Sequence, residues 1–201
     1  MPLRPSVLLL LPLLGLTQCI MQGEEAYPQH PMPDATQTGA NTAGCFVDGT
    51  LWVAHEDDDS AIGVPRSKVE PVRAQWNNAR AGQPSHLALS LDKYINNRAQ
   101  VHHDTYIKLE LPGITRPGNF ALDQAATPHT VNGPTAYASF TFHQPSPHLE
   151  LLTGPGSPGR VVVTRFDTLS RVVSGTLEFT ASAATGGRSV RVTEDRFDCT
   201  F

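Results

Sequence analysis

The chain has 201 residues, with 15 Lys and Arg against 19 Asp and Glu, a net charge of −4 and three cysteines. That length fits one self-supporting domain after removal of a leader. The acidic balance gives no electrostatic footprint for nucleic acid, so nucleic-acid binding is not expected.

The N-terminus carries one basic residue, Arg4, and then "VLLLLPLLGL", an apolar run over residues 7–16. Ten residues are too few to cross a bilayer and match the apolar region of a signal peptide. "LTQC" follows and resembles a bacterial lipobox: Leu16 is well placed, Gln18 departs from the usual small residue, and Cys19 would take a diacylglycerol. The expectation is a signal peptide over residues 1–18 and a lipidated Cys19 at the mature N-terminus. A triply acylated end buries far more methylenes than one myristoyl chain, so anchoring would be stable. The alternative is ordinary secretion with cleavage nearby.

Residues 19–40 are rich in Pro, Gln, Thr, Gly and acidic residues and have no periodic apolar face, which reads as a disordered tether. Glu24 and Glu25 count as solvated linker charge. The domain is placed at residues 41–201.

From there the apolar residues alternate with period two. "CFVDGTLWV" sets Asp48-Gly49 between short apolar runs, the strongest short-range hairpin signal. "HEDDDS", His55 to Ser60, lacks the ligand spacing of a calcium loop and is expected to be a solvated acidic loop. "SKVEPVRAQWNNA" is ambiguous, although Pro71 disfavours a helix. "HLALSLDKYI" and "DTYIKLELPG" alternate Leu87, Leu89, Leu91 and Ile107, Leu109, Leu111 against polar residues. "GNFAL", "TAYASFTFH", "RVVVTRFD", "VVSGTLEFTA", "RSVRVTE" and "RFDCTF" continue the pattern between Pro/Gly-rich turns. The reading is all-β: an antiparallel β-sandwich or open barrel of about ten strands.

Cys45 and Cys199 fall on the first and last strands. In an exported protein they can form a disulfide if those strands are adjacent; otherwise they are inert core thiols. Trp76, Tyr94, Tyr106 and Tyr137 are the aromatic candidates for a ligand-binding platform, with a glycan or an envelope protein as partner. "VHHDTY" puts His102 and Asp104 on one strand face, the weak basis for an alternative reading as a hydrolase or metal-dependent enzyme. No nucleophile elbow, phosphate loop, dinucleotide fingerprint or zinc spacing occurs, so no catalytic residue, metal ligand or cofactor is assigned. A third reading is a subunit of an envelope assembly that pairs through edge strands.

Two segments carry a family likeness: "MPDATQTGANTAGCFVDGTLWV" near the start and "VVSGTLEFTA…VRVTEDRFDCTF" at the end. They resemble a family of uncharacterised Bacteroidetes lipoproteins known only as a domain of unknown function, with a pattern of the form "ATQxGxNTxGCxVNGxxW" and then "SGTFEFTA…VTxGRFD". The matching positions are Ala35, Thr36, Gln37, Gly39, Asn41, Thr42, Gly44, Cys45, Val47, Gly49 and Trp52. At the other end they are Ser174, Gly175, Thr176, Glu178, Phe179, Thr180, Ala181, Arg196, Phe197 and Asp198. Asp48 stands where Asn is usual, and Asp195 stands where the family has glycine, which implies a last turn that tolerates a side chain. The resemblance implies an exported all-β domain, lipid-anchored in the cell envelope at the outer membrane, and carries over no activity. Read from the residues alone, Phe46 and Trp52 are core, Gly175 marks a bulge or close approach, and Arg196 with Glu194, Asp195 and Asp198 forms a surface or edge ion pair.

Overall fold

The computed structural model describes residues 30–58, 70–80, 82–96, 104–128, 130, 133–143 and 148–201. Cys19, the leader and the early tether lie outside them, as do Asp59, Ser60, His102 and His103. The body that contains all the strands runs Pro31–Phe201.

Alternation of small or branched apolar residues with polar ones produces strands and little else. Among the described residues twelve occur in chain order: β1 Thr42–Val47, β2 Thr50–Val53, β3 His55–Asp58, β4 Val72–Asn77, β5 His86–Asn96, β6 Thr105–Pro112, β7 Gly118–Ala121, β8 Tyr137–Phe142, β9 Leu149–Leu152, β10 Gly159–Asp167, β11 Val172–Ser182 and β12 Ser189–Thr200. They form one sheet in the order β2-β1-β12-β11-β9-β8-β6-β5-β3, with β4 beside β5, β10 beside β11 and β7 beside β10. The expected hairpin opens it: β1 pairs with β2, and Asp48 and Gly49 both take positive φ, 49° and 81°. That is the backbone of a type I′ turn.

The acidic stretch after the hairpin is not a loop. His55–Asp58 continues from β2 through Ala54 and pairs in parallel with β5, from His55 against Lys93 to Asp58 against Asn96. This parallel ladder makes the sheet mixed instead of purely antiparallel. It also carries the chain from β1 round to β5, so the sheet is nearly closed and barrel-like.

The inward faces fill one core, including Trp52, Leu87, Leu89, Leu91, Ile107, Leu109, Leu111, Phe140, Leu151, Val161, Leu177, Val192 and Phe197. Trp52 reaches across it, its Nε1 donating to Thr105 Oγ1 at 2.8 Å and tying β2 to β6. Trp76, Phe166 and Phe201 pack ring against ring where β4 approaches β10 and the chain's last residue.

Two bulges set the phase of these faces. In β10 the register shifts between Val163 and Arg165, so Val161, Val163 and Phe166 all turn inward. In β12 one extra residue sits against both neighbours, between Phe46 and Gly44 on β1 and between Phe179 and Leu177 on β11, and Glu194 takes φ 53°. The extra residue reverses the alternation. Val190 and Val192 point inward before it, and Asp195, Phe197 and Cys199 after it.

Candidate functional site

The sequence places the domain boundary near residue 41, but residues 31–40 belong to the fold. They run as a strap over the outer face of β1, β11 and β12 and are held there by one carboxylate. Asp198 on β12 is 2 % exposed. Its Oδ2 accepts hydrogen bonds from Thr36 Oγ1 (2.6 Å), the Thr38 amide (2.9 Å), Thr38 Oγ1 (3.3 Å) and the Ala40 amide (3.2 Å). Its Oδ1 accepts from the Gly39 amide (2.9 Å) and from Ser174 Oγ on β11 (2.7 Å). Burial alone would raise this carboxyl; the bonds from Thr36, Ser174, Thr38 and Gly39 outweigh it and hold Asp198 well below the ordinary carboxylate range.

Further residues towards both ends of the chain meet at the same junction. Gly39 has φ 78°, and a Cβ there would lie 2.8 Å from Thr200 Cγ2. Asn41, at φ 55°, accepts from the Thr200 amide through its side chain at 2.9 Å. A Cβ on Gly44 would come within 2.7 Å of Pro33 Cδ and 3.0 Å of Met32 Sδ, so glycine there lets the strap lie flat. Arg165 donates to the Gln37 carbonyl. Gly175 sits opposite the β10 bulge, where a Cβ would strike the Val162 carbonyl at 2.3 Å, the close approach expected of it. Segments about 160 residues apart in sequence are thus one structural unit.

A pocket of about 120 Å³ opens under the strap, lined by Asp34, Thr36, Gln37, Thr42, Thr164 and Thr176 together with Arg196 and Asp198. A shallower groove of about 300 Å³ crosses the outside of β10, β11 and β12. It is bordered by Arg191 and by the Arg160–Glu178 ion pair (3.0 Å).

The surface ion pair expected around Arg196 is corrected by burial. Asp195 does not sit in a turn. It lies inside β12, 1 % exposed, with neither carboxylate oxygen hydrogen-bonded among the described residues. Burial pushes its carboxyl well above the ordinary range, against the opposing pull of Arg196. Cys45 and Cys199 are both buried free thiols. The expected adjacency of the first and last strands is present, since β1 pairs with β12. The register, however, sets Thr42 against Asp198, and so Asn41 opposite Cys199. Cys45 lies four residues farther along, roughly 13 Å by strand rise, beyond the reach of a disulfide. Burial raises both thiols, Cys199 to about 12, leaving neither a thiolate for chemistry.

The four aromatic residues form no platform. Trp76 is cross-strand from Leu87 and faces the core, its ring against Phe166 and Phe201. Tyr137 is 8 % exposed, and its hydroxyl is pushed up to about 12 by burial and by the nearby Glu110 and Glu150. Tyr94 and Tyr106 share the outer face but are half-buried, and Tyr106 meets His143 edge-on at 5.9 Å. Of the His102 and Asp104 pair, His102 lies outside the described residues and Asp104 is buried, its carbonyl accepting from the His143 amide. Sequence reading passed over one acid–base contact, His86 Nε2 to Glu110 Oε2 at 2.5 Å, because its members sit on adjacent strands 24 residues apart. Among the described residues no group of three or more His, Cys, Asp or Glu could hold a metal ion, and no helix is long and apolar enough to cross a membrane.

Comparisons with protein-family models, with curated proteins and with solved structures returned no match.

Proposed function

We propose that the chain is an exported, lipid-anchored protein of a bacterial cell envelope whose barrel serves as a binding or structural module. The observation that carries this reading is the clamp at Asp198. The segment arriving from the N-terminal side is fastened to the last strand by five hydrogen bonds to one carboxylate, which Ser174 of β11 bonds as well. Such an attachment suits a domain held at the end of a tether, because pull on the strap is shared by the β1–β12–β11 ladders and is not borne by a frayed terminus. The basic residue, apolar run and Cys19 of the leader supply the anchor, and the likeness to envelope lipoproteins agrees with it. Mass spectrometry of the N-terminal peptide from native envelopes tests this. The expected product begins at an acylated Cys19, and Cys19→Ala moves the protein to the soluble fraction. A peptide starting elsewhere, with an unmodified cysteine, would remove the anchor.

A second reading, a subunit of an envelope assembly, is favoured by the strand order: among the described residues β4 pairs only with β5, and β7 only with β10. Each leaves one edge able to accept a further strand. Retention of a partner by the wild type and its loss in Ala74→Pro, at an amide on the side of β4 away from β5, would support that use of β4; equal retention would remove it.

A further inference from the structure

We infer that the pocket beneath the strap is a binding site for a small organic carboxylate that also carries a hydroxyl or amino group. The site is built from both ends of the chain, with Asp34, Thr36 and Gln37 from the strap and Thr42, Thr164, Thr176 and Arg196 from the sheet. Among the described residues the Arg196 guanidinium forms no ion pair. Its single bond is a long one, Nη1 donating to the Pro33 carbonyl at 3.4 Å. A guanidinium with donors to spare at a concave wall fits a carboxylate, which it can hold through two parallel bonds.

The hydroxyls are divided between structure and ligand. Thr36 Oγ1 is committed to Asp198 and Thr164 Oγ1 donates to the Ser174 carbonyl. Among the described residues the Thr42 and Thr176 hydroxyls have no partner, which leaves them for an occupant. Asp34 forms no ion pair among the described residues and brings an acceptor-only carboxylate to the same wall, which calls for a donor on the ligand.

Charge and size narrow the class. Among the described residues Arg196 is the only cation of the lining, against Asp34 and Asp198. A doubly charged phosphate would meet two carboxylates, whereas a singly charged carboxylate with a hydroxyl or ammonium group complements both signs. At about 120 Å³ the pocket is well below the 300–1,000 Å³ or so of sites for drug-sized ligands, so it holds a compound of few heavy atoms or the end group of a larger one.

This inference rests on reading the barrel as a binding module, not on the anchor. A failed titration would leave Cys19 acylation untouched, and an unmodified Cys19 would leave the pocket untouched. The test is titration of the purified full chain in detergent with lactate, serine, phosphate and chloride, followed by amide and Arg Nε–H NMR shifts. Lactate and serine are expected to give saturable shifts confined to Thr36, Thr42, Thr176 and Arg196, with phosphate and chloride giving none at equal concentration. Arg196→Gln, and separately the exposed Thr176→Val, should weaken binding, the former about tenfold or more. Absence of saturation with either carboxylate, an unchanged response in Arg196→Gln, or phosphate binding as well as lactate would each overturn the assignment.

Discussion

Asp195 and Asp198 are three residues apart on one strand, both nearly inaccessible, and they titrate in opposite directions. Asp198 faces outward into six donors and is held ionised. Its folded value lies below its unfolded 3.8, so its stabilisation is present above that pH and is lost as acid protonates it. Asp195 faces the core with no donor among the described residues, and burial favours its neutral form. Its folded value lies above 3.8, so its share of stability is full below that pH and drains away as pH rises. Urea unfolding against pH should separate them. Asp195→Asn should flatten the decline above about pH 4, which for one group is at most about 1.4 kcal/mol per pH unit. Asp198→Ala should cost about 3 kcal/mol at neutral pH, as expected when a hydrogen-bonded buried carboxylate leaves its donors unsatisfied. The opposite fates of the two acids were not legible in "VTEDRFDCTF". Simple alternation from Val190 and Val192 puts Glu194, Arg196 and Asp198 inside, and only the bulge at Glu194 puts Asp195 there instead.

The hairpin at the level of elements was fully legible, because Asp-Gly between apolar runs specifies its own turn. Asp48→Asn should therefore stay within about 0.5 kcal/mol of the wild type, since either side chain tolerates positive φ and can accept from the Arg191 amide, as Asp48 does at 2.8 Å. Gly44 is the contrasting case. Gly44→Val should cost about 1–3 kcal/mol in urea unfolding and expose the strap to protease, because the new side chain needs the volume occupied by Pro33 and Met32. The strap itself was hidden from sequence reading for a physical reason. It lies on the sheet's outer face through polar and backbone bonds, so it carries no apolar period to read. β3 was hidden by its charge: "HEDD" is held by backbone pairing with β5, which any sequence of suitable conformation can supply.

Across the whole molecule, an all-β fold followed from period-two alternation and frequent turns, and its near-closure did not. Closure depends on one crossing, from β2 into β3 and onto β5, whose residues give no hydrophobic signal. The cysteines offer a check on both compartment and fold. With Cys45 and Cys199 buried and free, native protein whose Cys19 is acylated should show no thiol reactive to DTNB at neutral pH. The same protein denatured should show two thiols, and a chain that keeps an unmodified Cys19 should show three. Fastening of the strap to β12 by Asp198 is the feature on which the tethered-module reading and the pocket both depend. Native-state hydrogen exchange reads it directly at the Thr38, Gly39 and Ala40 amides, which donate to that carboxylate. The expected result is protection of these amides in the wild type and its loss in Asp198→Ala while the β5 and β6 amides stay protected. Free exchange at these three amides in the wild-type protein would contradict it.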